Sequence, residues 1–176
     1  LSDNNKTDYY LIDNQLKSTV WSIEQEKTYE WDPSGYNVSG SFAEMLANNY
    51  DSLDVRLHNF YLRMANVHAY YDAAKKNIKN PTIEHTQLGI EQNMGGISVF
   101  TDDLKDALQK SHLDTNTKAQ INARALEVIA AIKDYAEWLK NLKNDHPRDF
   151  RLGKELYAKK FEYDIQSAYT ADQIYD

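Results

Sequence analysis

One predicted helix carries the residues of this sequence that are best suited to contact a ligand. At about 100° per residue, His85, Gly89, Gln92 and Gly96 lie in line along the segment 81–110. Each of the three glycines in this segment costs a helix about 1 kcal/mol relative to alanine, so the close approach of another group should offset that cost. We therefore predict that these four residues either form one wall of a substrate cleft or lie in a tight helix crossing with a hydrogen-bonded histidine.

The other side of this helix has the spacing of a buried stripe. Asn80 is a suitable N-cap, Pro81 fits a first helical position where no amide is needed, and Glu84 is favoured there by the helix dipole. The sequence therefore predicts a helix that starts sharply at residue 81 and turns its apolar residues towards the core. These residues are Ile83, Ile90, Met94, Ile97, Leu104 and Leu108.

Signatures of catalysis are absent from the sequence. None of the five histidines is followed by glutamate, so the zinc-peptidase motif H-E-x-x-H does not occur, and the reversed motif fails because Pro81 stands four residues before His85. No cysteine, G-x-S-x-G or P-loop is present. His68 and Asp72 lie one turn apart, but such pairs are frequent by chance on a helix surface. We therefore predict no catalytic residue and no metal site in this sequence.

Composition limits the partners of the chain. Its 176 residues, 41% of them apolar, suffice for one domain with a core. The 27 acidic and 20 basic residues give a net charge of −7, and the basic residues are scattered, which argues against nucleic acid and anionic membranes as partners. No apolar run approaches the length that spans a bilayer, so we predict no transmembrane segment. The absence of cysteine excludes disulfides and thiolate metal sites.

Hydrophobic residues recur at steps of three and four through most of the chain, whereas no segment shows the alternation of a strand. The sequence therefore predicts an all-α multi-helix bundle in which long helices joined by short turns pack antiparallel. We interpret residues 1–176 as a single helical domain. The predicted helices cover about 8–31, 41–49, 52–78, 81–110, 115–143 and 150–166, and a truncated helix starts at 171–176.

Capping residues mark several of the predicted helix starts. Ser41 with Glu44 three residues later has the form of a capping box. Asp51 is the expected cap of the helix 52–78, and Asp114 or Thr115 is the expected cap of the helix 115–143.

The last residues of the chain resemble a helix that is started and cut off. Thr170 and Gln173 form a second capping box, and Ile174–Tyr175 are the first apolar residues of a helix that has no room to form. We therefore expect the natural polypeptide to continue past Asp176, so that the chain is the N-terminal part of a larger, mostly helical protein. Because the chain begins at Leu1 rather than Met, we also expect that an export signal or tether was removed upstream.

Four stretches of the sequence carry a resemblance to known proteins. They are Tyr29–Asn37, Leu53–Leu57 with its D-x-R-L step, Lys79–Gly96 with His85 and Gln92, and Phe150–Tyr157. In these stretches, and over most of the chain from about Tyr29 onward, the sequence resembles a bacterial family known as domain of unknown function 885. That family is grouped with zinc metallopeptidases of the H-E-x-x-H type.

The resemblance implies a predominantly helical, enzyme-like scaffold whose zinc-binding motif lies in a C-terminal half that is absent here. No catalytic residue and no cofactor are then expected in this part, and the zinc ion is expected in the C-terminal half. The helices present would form one wall of the substrate cleft, with His85, Gln92, Gly89 and Gly96 on it. The implied partners are the C-terminal half of the same polypeptide and a peptide substrate. The implied location is outside the bacterial cytoplasm or, for a lipoprotein, at the cell envelope.

Two functions of different classes remain open. The first is the non-catalytic N-terminal helical portion of a zinc-dependent metallopeptidase-like hydrolase. The alternative is a helical binding or protein-interaction module without enzymatic activity. An H-E-x-x-H motif downstream of Asp176 would support the hydrolase, and its absence would leave the module. One half of a cleft should also expose an apolar or glycine-lined surface larger than the few hundred Å² that ordinary monomers tolerate.

Overall fold

The computed structural model describes residues 2–175, and over this range the chain is helical without any strand, which confirms the predicted all-α fold class. Ser22–Glu26 forms a π-helical turn, and Pro33–Tyr36 and Gly96–Phe100 form 3-10 turns. The α-helices are α1 Asp3–Trp21, α2 Thr28–Trp31, α3 Ser39–Ala47, α4 Leu53–Met64, α5 Val67–Asn77, α6 Ile83–Gly95, α7 Asp102–Lys110, α8 Thr115–Asn141, α9 Lys154–Ile165 and α10 Ala171–Tyr175.

Three of the predicted long helices are interrupted. The first of them ends at Lys27, whose φ of 53° lies in the left-handed region. The helix predicted for 52–78 is divided at Asn66, whose backbone amide bonds to the carbonyl only three residues back. The helix predicted for 81–110 is divided by the 3-10 turn that starts at Gly96. Because a single tightened turn keeps buried residues three or four apart, hydrophobic spacing did not reveal the last two breaks.

The helix α6 begins two residues later than predicted. Its N-cap is Thr82, whose Oγ1 accepts a hydrogen bond from the His85 amide at 3.0 Å, and not Asn80. Pro81 is therefore outside the helix. The backbone is held extended here because the Thr82 amide donates to the carbonyl oxygen of Trp31 at 3.3 Å. A contact distant in sequence thus determines where the helix starts.

Two further predicted caps are wrong by a few residues. The helix α4 is capped by Ser52, whose hydroxyl accepts from the amide of Val55, rather than by Asp51. The helix α3 begins at Ser39, two residues before the predicted start at Ser41, and has no side-chain cap of its own. At α4 both Asp51 and Ser52 are suitable caps, so residue type alone did not select between them, whereas the cap position of α3 is Val38, which has no capping side chain.

Two other capping predictions are confirmed. The Asp114 carboxylate accepts from the amides of Asn116 and Thr117 at the start of α8, and the hydrogen bonds from Thr117 lower the pKa of that carboxyl. At the start of α10, the Thr170 amide donates to Gln173 Oε1 at 2.8 Å, and the Gln173 amide donates to Thr170 Oγ1 at 3.2 Å. This reciprocal pair is the predicted capping box.

The chain divides into two compact units. Unit 1 comprises Leu1–Thr28 and Asp149–Asp176, and unit 2 comprises Tyr29–Arg148. Over the described residues, unit 1 buries a single side chain, Glu26, whereas unit 2 contains an extensive apolar core. This division into compact units does not test the interpretation of residues 1–176 as a single domain, which stays a prediction.

The core of unit 2 surrounds α8, the longest helix of the unit. The helices α4 and α5 pack their common stripe against it, as the regular spacing of that stripe predicts. Burying each large side chain of this core contributes roughly 1.5–3 kcal/mol. The buried residues of α8 are Ile121, Ala125, Val128, Ala131, Ile132, Tyr135, Ala136 and Leu139, and those of the α4–α5 stripe are Leu57, Phe60, Met64, Val67, Tyr71 and Ala74.

A buried arginine fastens the C-terminal end of α3 to α4. The Arg56 side chain is buried, and its Nη1 donates to the carbonyl oxygens of Met45 and Leu46 at 3.2 and 2.6 Å. Its Nε donates to the carbonyl oxygen of Asp51 at 3.1 Å. The cation thus satisfies carbonyls that the end of a helix leaves unpaired and lies at the negative end of the helix dipole.

We predict that Arg56→Met lowers the free energy of unfolding by about 2 kcal/mol, because three carbonyl groups lose a charged hydrogen-bond donor. Arg63→Met is the matched control. Arg63 lies two turns further along α4, and its exposed side chain makes no hydrogen bond or ion pair within the described chain, so its loss should change stability by less than about 0.5 kcal/mol. Urea unfolding followed by circular dichroism measures both. Equal losses for the two variants would contradict the role of Arg56.

Candidate functional site

The helix α6 turns its glycine-bearing face towards the core. Gly89 and Asn93 are buried, whereas Ile83 and Met94 are exposed to solvent. The predicted core stripe is therefore wrong at Ile83 and Met94. Ile90 and Ile97 pack partly buried against the core, and the last two residues of the stripe, which lie in α7, are buried as predicted. The orientation follows from what packs against α6, because the turn Pro33–Tyr36 approaches the helix backbone at Gly89 and the Asn93 amide is hydrogen-bonded in the interior.

Two glycines of this face are covered by the chain itself. A Cβ at Gly89 would lie 3.1 Å from the carbonyl carbon of Pro33 and 3.2 Å from the amide nitrogen of Ser34, closer than ordinary contact. A Cβ at Gly96 would overlap the Oγ and Cβ atoms of Ser39. The close approach that the glycines predict is thus made by the turn Pro33–Tyr36 and the start of α3.

A buried polar network holds this crossing together. Asn93 Nδ2 donates to the carbonyl oxygen of Gly89 at 2.8 Å, and Asn93 Oδ1 accepts from the hydroxyl of Tyr71 at 2.6 Å. Tyr135 stacks on Tyr71 with ring centroids 4.6 Å apart and donates to the carbonyl oxygen of Pro33 at 3.1 Å. Burial raises the pKa of both tyrosine hydroxyls, so both remain hydrogen-bond donors.

His85 lies at the edge of this crossing. Its ring meets the ring of Trp31 edge to face at 5.3 Å, and the guanidinium of Arg148 lies over the Trp31 ring at 4.3 Å. Thr82 Oγ1 lies 2.7 Å from His85 Nδ1 and already accepts the His85 amide. Since Thr82 is fully buried, we assign its hydroxyl proton to Nδ1, which leaves the proton of the neutral imidazole on Nε2. His85 is therefore a hydrogen-bonded, half-buried histidine.

The four predicted cleft residues do not share one surface. Gly89 and Gly96 are covered by the segment from Pro33 to Ser39, His85 packs on an aromatic ring, and Gln92 is exposed. Of the two interpretations, the tight crossing with a hydrogen-bonded histidine describes the contacts of the glycines and of His85. A role of these residues in a substrate cleft stays a prediction.

The described residues do not fit a zinc ion. Over residues 2–175, no three histidine, cysteine, aspartate or glutamate side chains are placed to hold a metal together. His68 Nδ1 and Asp72 Oδ2 lie 3.2 Å apart, but both side chains are exposed and no third ligand from the described chain joins them. A zinc site needs at least three protein ligands, so the pair is a surface contact.

A cavity of about 270 Å³ opens where the turn Pro33–Tyr36 and the start of α3 face the break between α4 and α5. Its walls include Arg63 and Asn66 on one side and Ser41 and Phe42 on the other. Sequence reasoning missed this cavity, because it exists only where the helix 52–78 is interrupted. The Asn66 at that interruption was the available signal, since asparagine is a poor residue for a helix interior.

Unit 1 exposes an apolar stripe that runs along α1 and continues onto the π-helical turn after it. Tyr9, Ile12, Leu16, Val20 and Ile23 recur at steps of three and four, and each is more than half exposed. Two of them also border a groove between α1 and α9 of about 410 Å³. This stripe has the spacing of a core-facing helix side without the core that such a side requires.

Residues 1–176 match a bacterial family described as "Bacterial protein of unknown function (DUF885)". The chain belongs to the DUF885 family. Its structure is also similar to a solved structure from Shewanella oneidensis described as "a putative lipoprotein of unknown function", with 45% sequence identity and a TM-score of 0.92. That similarity covers 99% of this chain and 33% of the other, so the chain spans about a third of that protein's length. No curated protein matches the chain.

These findings confirm the family resemblance and extend it over the whole sequence. Neither DUF885 nor the Shewanella protein is described as a peptidase or as binding zinc, so the metallopeptidase part of the resemblance has no support from them. Over residues 2–175, the DUF885 chain has no helix that combines the length and the apolarity needed to cross a membrane.

We predict that Gly96→Ala lowers the free energy of unfolding by about 1–3 kcal/mol, because the new methyl group overlaps Ser39. Gly95→Ala is the matched control, since a Cβ there meets nothing within 4 Å and alanine favours the helix, so stability should be unchanged or slightly higher. Urea unfolding measures both variants.

The double variant Gly96→Ala with Ser39→Gly identifies the cause of that loss. Ser39→Gly removes both overlapping atoms, so the loss from Gly96→Ala should largely disappear in this background. If Gly96→Ala is as destabilising in the Ser39→Gly background as in the wild-type chain, the contact between these two positions does not explain the requirement for glycine.

Proposed function

We propose that the chain is a non-catalytic helical portion of a longer bacterial envelope protein, and that the apolar stripe of α1 is covered by the remainder of that polypeptide. The observation that carries this proposal is the stripe itself, with four large apolar side chains exposed on α1 and a fifth, Ile23, exposed on the π-helical turn that continues it. Ordinary monomers do not keep such a contiguous apolar surface in water. Covering each of these half-exposed side chains would contribute roughly 1 kcal/mol.

Two further observations support the remainder of the polypeptide as the cover. The similar Shewanella protein is about three times as long as this chain, which supplies enough additional polypeptide to cover unit 1. The stripe is apolar and carries no basic residue, and the chain as a whole is acidic, which disfavours an anionic membrane surface as the cover. The envelope location rests on the description of that protein as a lipoprotein.

We predict that Leu16→Asp destabilises the full-length polypeptide by about 2–4 kcal/mol, because a carboxylate would replace an apolar contact. In the 176-residue chain alone the same change should alter stability by less than about 0.5 kcal/mol, since Leu16 is largely exposed there. Leu16→Met should be tolerated in both. Thermal unfolding of the six proteins, wild type included, makes the comparison.

Leu11→Asp provides a second control on the same helix. Leu11 is as accessible as the stripe residues but lies about 140° away from Leu16 around α1. Its replacement should therefore cost the full-length protein less than the replacement of Leu16. If Leu16→Asp destabilises the full-length protein no more than it destabilises the short chain, the proposed cover is ruled out.

The finer proposal is that this portion forms one wall of the substrate cleft of a zinc-dependent hydrolase. It rests on the grouping of DUF885-like sequences with such enzymes. Because the described residues do not fit a zinc ion, the ligands would have to come from the remainder of the polypeptide, together with the chemistry of hydrolysis. Gln92, which is exposed, and the edge of His85 are the predicted wall residues that remain accessible to a peptide substrate.

We predict that the full-length protein retains zinc after dialysis and hydrolyses a mixed peptide library, and that the 176-residue chain does neither. Gln92→Ala should lower turnover about tenfold, the effect of losing one hydrogen bond in the transition state, without changing the melting temperature. Gln87→Ala, an exposed glutamine of the same helix, is the control. Elemental analysis measures the retained zinc, and mass spectrometry measures the hydrolysis of the peptide library.

A full-length protein without bound metal and without hydrolysis would instead support the alternative, a helical binding module. The observation that favours this alternative is the cavity between α3 and the α4–α5 break, which belongs entirely to unit 2 and requires no catalytic partner.

A further inference from the structure

The cavity between α3 and the α4–α5 break is unusual for this chain in its charge. Arg63 lies on its wall, and no aspartate or glutamate of the described chain lines it, although acidic residues outnumber basic ones by 27 to 20 in the sequence. The Arg63 side chain also makes no hydrogen bond or ion pair with any described residue. A cationic residue on the wall of an otherwise neutral cavity creates a local preference for an anion within an acidic protein.

The neutral polar groups of the cavity include hydrogen-bond donors that are not engaged by the described chain. The Ser41 hydroxyl, the Asn66 side-chain amide and the Tyr70 hydroxyl belong to residues of its wall, and none makes a hydrogen bond to the described chain. Burial raises the pKa of the Tyr70 hydroxyl, so this group keeps its proton. Asn37 Oδ1 is occupied, because it accepts from the Ser39 amide at 3.0 Å, which leaves the Nδ2 donor of Asn37 available. Each hydroxyl and the Asn66 amide can donate or accept, whereas the guanidinium of Arg63 can only donate, so all of these groups can donate together to an anion.

The remaining wall is apolar. Val38, which is half-buried, and Tyr70, which is 42% exposed, offer accessible apolar surface on the wall, and Phe42 and Val67 behind them belong to the core of unit 2. The ring of Tyr70 lies 5.7 Å from the ring of Tyr36. These groups can contact an aliphatic or aromatic body, as in most small-molecule sites. The volume of about 270 Å³ lies just below the range of drug-sized sites and suits a ligand of the size of one amino acid.

We propose that this cavity binds a small monocarboxylate with an apolar body, with the carboxylate against Arg63 and the body against Val38 and the ring of Tyr70. A planar carboxylate matches the fork of the guanidinium, and the neutral donors can bind its remaining lone pairs. A single negative charge is preferred over a phosphate dianion because Arg63 is the one charged group of the described chain on the wall, and the net charge of the chain is −7. The cavity lies within unit 2, so this inference does not depend on the proposed cover of unit 1.

The test is a titration of the ¹⁵N-labelled chain with N-acetyl-phenylalanine, followed by amide chemical shifts. We expect saturable shifts at residues of the cavity wall with a dissociation constant of about 1 mM, the strength that a ligand of this size can reach. N-acetyl-phenylalanine amide has the same shape without the charge and should bind at least about tenfold more weakly. Inorganic phosphate should produce no saturable shift at the same amides.

Two variants locate the site. R63Q should weaken binding of the acid about tenfold or more and leave binding of the amide unchanged. Gly35→Trp should abolish binding of both by filling the cavity. Gly35 lies on the wall, has an ordinary φ, and a Cβ there meets nothing within 4 Å, so the fold should tolerate the change. Gly40→Trp is the matched control, because Gly40 is equally open but is not part of the wall.

The melting temperature of each variant establishes that it is folded. No saturable shift with the acid, equal affinity for the acid and its amide, or full binding by the folded R63Q or Gly35→Trp variant would each overturn the proposal. Phosphate that binds in place of the acid at the same amides would overturn the assignment of a carboxylate.

Discussion

Unit 2 depends on the close contact between α6 and the segment from Pro33 to Ser39. This contact requires two glycines at the α6 crossing, because side chains at positions 89 and 96 would meet the backbone of the turn and the side chain of Ser39. Asn93, between the two glycines, is buried and spends both ends of its amide on Tyr71 and Gly89. A buried amide with one unsatisfied end would be costly, so this arrangement admits one register of α6 against the turn.

The contact between α6 and the segment from Pro33 to Ser39 also determines what surrounds Gly89 and His85. The turn that covers Gly89 also carries Tyr36, whose hydroxyl donates to the carbonyl oxygen of Tyr29 at 2.7 Å and so ties the turn back to the preceding helix. The backbone of Trp31 fixes the start of α6 and places the ring of Trp31 beside His85. The same turn also borders the cavity. Pro33 and Ser34 of the turn pack against Gly89, whereas Gly35 lies on the cavity wall.

Hydrophobic spacing predicted most of the fold, because helices in a bundle bury one face at a regular interval. It indicated the all-α class, the stripe of α4 and α5, and the stripe of α8, while residue type indicated the capping box at Thr170. It did not reveal the break at Asn66, because a tightened turn preserves the interval of the buried residues. It also did not reveal the orientation of α6, where the buried groups are glycine and asparagine, which a search for apolar residues assigns to the outside.

For the same reason, the glycines predicted a close approach, but the group that makes it could not be inferred from the sequence. Glycines in a helix indicate that something approaches closely, and only the three-dimensional contacts show that the chain itself does so.

The near absence of buried side chains in unit 1 has a different consequence, which concerns motion. Helices held by few buried contacts open locally at little cost in free energy, so the backbone amides of α1 and α9 should exchange with solvent long before those of α8. The persistence of α1 as a helix would then be set by whatever binds to it.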